Sequence, residues 1–197
     1  PAPNNHIFFN LLMNLWSKLW GINTFEQAAN AVFIVRLLPL LFTLTTILFV
    51  YLTGKKYFNK GTAFISIIIL LTTIPFFNFA AQVRGYGLSI MLCSILLYCA
   101  LGFYSKPKVR YGVVVAVLAA FLLYTIPSNL YAVLSTILVL SFIVLGQWKK
   151  YDIRLAIKFN AARLIQWLMA GIGLGVGLYL PVGEQVVNNE YVKSEGL

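Results

Sequence analysis

Side chains able to do chemistry are scarce in this chain, and two short stretches hold most of them: "PNNHIFFN" (3–10) and "QVRGYG" (82–87). In the second, Arg84 interrupts an apolar run that extends from Thr62 to Tyr104. A charge at the centre of a bilayer costs about 2.5 to 3.5 kcal/mol on insertion scales, so Arg84 belongs at a membrane surface or in a site. Its planar guanidinium suits bidentate contact with a phosphate. Gly85 and Gly87 flank Tyr86, which lets the backbone turn tightly and a ligand approach closely. Tyr86 offers a hydroxyl and an aromatic face, and Gln82 an amide. Residue types alone leave two readings of Arg84 open, a phosphate contact and a guanidinium snorkelling to lipid headgroups. His6, the single histidine, follows Asn4 and Asn5. It has no second metal ligand at metal-site spacing, and no Ser-His-Asp set can be assembled around it.

The elements that must position these groups are membrane helices. The chain has 197 residues, 60% apolar and 10% charged, with a mean hydropathy of +0.86, against roughly one-quarter charged residues in a soluble domain. Stretches at 32–53, 62–81 and 86–104 each approach the ~20 residues that cross a hydrocarbon core as helix. The region 110–146 is too long for one span, and "TIPSN" (125–129) supplies a turn, which predicts helices over 110–126 and 129–146. A last span is expected at 163–183. The fold class is therefore all-α, a polytopic transmembrane helix bundle of about six spans occupying 32–183, between outer-side segments 1–31 and 184–197.

Charge orients the bundle. Lys55, Lys56, Lys60, Lys106, Lys108, Arg110, Lys149, Lys150, Arg154, Lys158 and Arg163 fall in three connections on one side, which the positive-inside rule makes cytoplasmic. Lys18, Arg36, Arg84 and Lys193 are left on the other side with four of the five acids, Glu26, Glu184, Glu190 and Glu195. Both ends are then extracytoplasmic in a multi-pass protein of the cell membrane, and the turn at 82–85 lies near the outer surface. The basic runs are short and flank spans, so they read as topology and not as a nucleic-acid surface.

"IFFNLLMNLWSKLW" (7–20) carries its polar residues, Asn10, Asn14, Ser17 and Lys18, as a one-sided stripe. It fits a helix lying in the membrane interface with Trp16 and Trp20 at headgroup depth. Thr24, followed by Gln27, has the form of a capping box. Residues 147–162 alternate basic and apolar and read as a second surface helix on anionic headgroups. Cys93 and Cys99 share one predicted helix, where a disulfide between them is sterically implausible; they read as packing residues. Gly171, Gly173, Gly175 and Gly177 predict close helix packing.

Three segments in order, "PNNHIFFNLLMNLW", "VRLLPLLFTLTTILFVYLTGKKYF" and "AAQVRGYGLSIMLCSILLYCALGFY", resemble the N-terminal half of C-type glycosyltransferases of the protein-mannosyltransferase and lipid A aminoarabinose-transferase kind. "YTIPSNLY" (124–131) resembles a later turn in bacterial relatives, and the resemblance covers roughly residues 3–146. It implies an enzyme of the cell envelope that transfers a hexosyl or pentosyl group from a polyprenyl-phosphate-linked sugar to a glycan, lipid or protein acceptor outside the cytoplasmic membrane. It also implies a catalytic Asp upstream of the "NNH" segment, hence before residue 1. The chain, which opens without Met and closes in a polar segment, is then expected to be an internal piece of a longer protein, inactive alone.

On that resemblance Arg84 is expected at the donor phosphate, Gln82 and Tyr86 as positioning groups, and Asn5 and His6 at the sugar or metal side of the pocket. A divalent metal is left open. The rival readings are a carrier or flippase for a lipid-linked sugar, which calls for broken helices or midplane charges that the sequence does not display, and a non-catalytic membrane assembly subunit.

Overall fold

A computed structural model describes residues 6–80, 82–145 and 151–182; within these, the side chains at 143, 151–156 and 182 are not described. The described residues are overwhelmingly helical, with no strand among them. The chain divides into two compact units, 1–95 and 96–197.

In the first unit, α1 (Ile7–Leu19) lies against the start of α3 (Val32–Tyr57). The Trp16 indole Nε1–H donates to the Ile34 carbonyl at 2.9 Å, and the buried Phe9 meets Phe42 edge-on. Between them, α2 (Phe25–Asn30) begins with the capping box expected at Thr24. The Thr24 hydroxyl accepts from Gln27 N–H, and the Gln27 side chain accepts from Thr24 N–H at 3.1 Å. Two backbone donors at the helix start are thereby satisfied. Gly54 near the end of α3 admits α4 (Lys60–Thr72) to backbone contact: a Cβ there would stand 2.7 Å from Ala63 Cα. Asn59 caps α4, its Oδ1 accepting from Thr62 N–H at 2.8 Å.

The span expected at 62–81 is broken. α4 gives way to α5 (Ile74–Ala80) through a 73° bend. Pro75 has no N–H to donate into the preceding turn, and its ring excludes the carbonyl four residues back. It is accommodated as the second residue of a new helix. Thr73 is correspondingly extended, its hydroxyl donating to the Leu70 carbonyl at 2.7 Å. The sequence expectation of unbroken helices is corrected at this point.

α6 (Gly85–Ser105) runs through the division between the units. The second unit continues with α7 (Val109–Thr125), a short 3-10 turn at Pro127–Asn129, α8 (Leu130–Leu145) and α9 (Tyr151–Tyr179). Asn129 Nδ2–H donates to the Leu122 carbonyl at 2.8 Å and closes the α7–α8 turn. α9 is one helix that includes residues read from sequence as a separate surface helix and a span. Asn160 on it donates from Nδ2 to the Tyr104 carbonyl of α6 at 3.0 Å.

Close approach of α7 and α9 rests on glycines of both. Gly112 accommodates the Trp167 indole, a Cβ on Gly171 would stand 2.6 Å from the Ala116 carbonyl, and one on Gly175 3.1 Å from Leu123 Cβ. The contact pairs rise together along both chains, so α7 and α9 run parallel. Gly173 and Gly177 meet nothing within 4 Å; the glycine run has one packing face, not two.

Three helices are long and apolar enough to cross a membrane, Val32–Tyr57, Gly85–Ser105 and Ile157–Tyr179, or four if the bent α4–α5 pair counts as one. α7 and α8, with 17 and 16 residues, are shorter than the ~20 of a full span, so the described residues do not reach the expected six. Exposed rows such as Phe64, Ile65, Ile68 and Ile69 on α4 suit lipid contact. The chain is a multi-pass helical membrane protein. Cys93 and Cys99 are not disulfide-bonded.

Candidate functional site

The candidate site lies in the first unit, where the start of α1 meets the start of α6. His6 precedes α1 as its N-cap residue, and its imidazole stands edge-on to the Tyr86 ring, centroids 5.1 Å apart and planes at 74°. Tyr86 in turn lies against Phe79 of α5, centroids 4.7 Å apart. The three rings form a contiguous cluster from α1 through α6 to α5, edge-to-face between His6 and Tyr86 and tilted by 31° between Tyr86 and Phe79.

Backbone contacts hold the cluster. A Cβ at Gly87 would sit 3.4 Å from the Phe79 carbonyl, so α6 starts close beside the end of α5. The Thr43 hydroxyl stands 3.1 Å from the Pro39 carbonyl and 3.2 Å from the Ala80 carbonyl, sharing its proton between them. In this way α3 secures the last residue of α5, immediately ahead of the turn. At the other end of the turn, the Ser89 hydroxyl donates to the Gly85 carbonyl at 3.0 Å inside α6.

Gln82 and Arg84 are exposed on that turn, while Gly85 and Gly87 are buried and Tyr86 is half-buried. Arg84 therefore immediately precedes the N-terminus of α6. There the first N–H groups have no acceptor within the helix, and the aligned peptide dipoles place a partial positive charge. A guanidinium beside a helix N-terminus is an arrangement suited to an anion, phosphate above all.

The charge of Arg84 reaches His6. Burial, and secondarily the Arg84 guanidinium, hold the imidazole below its ordinary pKa of 6.5. Both causes disfavour the imidazolium, so His6 is neutral at neutral pH and can take part in hydrogen bonding without adding charge.

Of the residues singled out from sequence, His6 and Tyr86 are in ring contact, with Arg84 close enough to shift the titration of His6; Gln82 is exposed on the same turn. Asn5 lies outside the described residues. Phe79 and Thr43 were not anticipated. Phe79 is one of several phenylalanines in an apolar run, and Thr43 one of several threonines on α3, so neither carries a local signal. Among the described residues no three His, Cys, Asp or Glu side chains stand together as a metal site.

The model of the dolichyl-phosphate-mannose-protein mannosyltransferase family matches residues 17–159. The matched range includes Thr43, Phe79, Gln82, Arg84 and Tyr86, and begins after His6. No curated protein and no solved structure matches the chain.

Proposed function

The chain belongs to the dolichyl-phosphate-mannose-protein mannosyltransferase family, hence to membrane glycosyltransferases, and on that premise we propose that its donor is a polyprenyl-phosphate-linked sugar bound at the extracytoplasmic face. The observation that carries this reading is the convergence of Arg84, the α6 N-terminus, Tyr86 and His6 at one place. In the proposed reaction an acceptor oxygen forms a bond to the anomeric carbon as the bond from that carbon to the phosphate oxygen breaks. The electron pair leaves on the polyprenyl phosphate, and the acceptor's proton passes to a carboxylate. On the resemblance, that carboxylate is proposed to belong to an aspartate.

Arg84 and the first N–H groups of α6 stabilise the phosphate as it gains charge, a contribution larger in the transition state than in the bound donor. Tyr86, in ring contact with both Phe79 and His6, is assigned a positioning role through its hydroxyl, and Gln82 offers an amide from the turn. His6 stays neutral and so does not compete with Arg84 for the anion. Asn5 is assigned by the resemblance to the sugar side of the pocket. The acceptor is a glycan, lipid or protein hydroxyl.

The test is transfer from a polyprenyl-phosphate sugar by full-length protein carrying Arg84→Ala. The expected result is a loss of about a hundredfold or more with membrane accumulation unchanged. Undiminished transfer would sink the assignment.

A second reading, a carrier for a lipid-linked sugar, draws support from the bent α4–α5 pair, since broken helices accompany transport sites. It expects movement of an intact lipid-linked sugar across the bilayer with no glycosidic bond made or broken.

A further inference from the structure

A concavity with a mixed polar and apolar lining lies along α1. It has a volume of about 330 Å³; Asn10, Asn14, Ser17 and Lys18 of α1 and Asn23 and Thr24 of the following segment line it together with the apolar Met13, Ile22 and Ala28. Asn10, Asn14 and Lys18 recur every four residues and so form one row along the helix. The next row around, Leu11, Leu15 and Leu19, is exposed. α1 thus presents a row of polar side chains along the groove and, beside it, a strip of exposed leucines.

These two rows fix the depth at which the groove sits. Exposed leucines at this spacing are stable in the acyl region of a bilayer and not in water. The polar row beside them then stands at headgroup level. Both lining segments are held: α1 by the Trp16–Ile34 hydrogen bond, and the one that follows it by the Thr24–Gln27 capping box. The groove is open, built, and charged by Lys18 alone among its lining residues.

We propose that this groove binds the headgroup of an anionic phospholipid whose acyl chains lie along Leu11, Leu15 and Leu19. Lys18 pairs with the phosphate, and the asparagine amides and Ser17 hydroxyl engage phosphate and glycerol oxygens. A zwitterionic headgroup is disfavoured because its ammonium would share the groove with Lys18. The lipid anchors α1 at a defined depth, and with it the His6 end of the helix.

The experiment reconstitutes full-length protein in phosphatidylcholine bilayers containing a trace of phosphatidylglycerol with a photoactivatable group near its headgroup. Labelled positions are mapped by mass spectrometry, and photoactivatable phosphatidylcholine is the comparison probe. Phosphatidylglycerol is expected to label residues 10–24 in preference to phosphatidylcholine. Lys18→Gln is expected to lower that labelling about fivefold while leaving labelling near Lys55, Lys56 and Lys60 unchanged. Asn14→Ala, also at an exposed position, is expected to lower it further. Equal labelling by the two probes, or a Lys18→Gln variant that keeps the preference, would overturn the proposal. Displacement of the label at 10–24 by soluble glycerol phosphate would overturn it too, assigning the groove to a free phosphate.

Discussion

His6 and Tyr86 meet edge to face, 5.1 Å between ring centroids, although one opens the first helix and the other lies in the first turn of the sixth. Each ring is partly positioned by the other, and both stand beside the turn that bears Arg84. The coupling makes His6 a reporter on that turn.

The titration of the single histidine should therefore fall below 6.5 and respond to Arg84. Arg84→Gln should raise it only part of the way back, because burial is the larger cause. A phosphate analogue docked on Arg84 should raise it as well, by adding negative charge nearby. Imidazole resonances followed by NMR against pH decide this; a titration indifferent to Arg84→Gln refutes the electrostatic link.

The same shift has a consequence for stability. The unfolded imidazole takes up its proton near pH 6.5, while the folded one resists to lower pH. As pH falls through 6.5 the unfolded state gains protons first and the folded state loses ground; the loss levels off below the folded pKa and is absent well above 6.5. His6→Gln should flatten this part of a stability-against-pH curve measured by denaturant unfolding in detergent.

Tyr86→Phe keeps the ring contacts with His6 and Phe79 and removes only the hydroxyl. If that hydroxyl positions the donor, transfer should fall about two- to tenfold, the range of one neutral hydrogen bond, with stability unchanged. Tyr86→Ala should in addition destabilise the first unit by more than about 1 kcal/mol, because the ring cluster is lost. Thermal unfolding alongside transfer rates separates the two effects.

The glycines of α9 divide into two kinds. Gly171→Leu drives a side chain into the Ala116 carbonyl and Ala119 and should cost about 1 to 3 kcal/mol. Gly173→Leu enters open space and should stay within about 0.5 kcal/mol. Comparison of the two variants by unfolding in denaturing detergent tests whether α7 and α9 pack in a membrane as described.

Pro75→Ala restores the missing N–H and removes the ring clash, so α4 and α5 should move toward a single straight helix. Spin labels at the exposed positions Ile65 and Phe77 should report a longer separation in the variant. An unchanged distance would mean that packing of Phe76, and not proline, holds the bend.

Local features were legible in the sequence where one residue type has one dominant use. Thr24 with Gln27 marked its helix start, and "TIPSN" its turn, because both motifs satisfy backbone groups within a few residues. Pro75 was not read as a break: it sits among isoleucines and phenylalanines, and hydropathy is blind to a missing N–H. Arg84 drew notice because charge is rare in such a run. The meeting of His6, Tyr86 and Phe79 could not be read at all, since it depends on how α1, α5 and α6 pack, and aromatic residues in an apolar chain carry no label for their partners. The glycines showed small size but not which of them face a neighbour; only the alternation of contact and open space along α9 separates 171 and 175 from 173 and 177.

The notch at Gly112 that receives Trp167 also sets how far along each other α7 and α9 can sit. A slip of α9 by one turn, about 5.4 Å, would carry the indole from Gly112 to Ala116, whose methyl occupies the space the glycine leaves vacant. Because the Gly171 and Gly175 contacts lie farther along the same seam, all three glycine contacts share a single axial registration. Sliding between these two helices is therefore barred in a way that tilting is not.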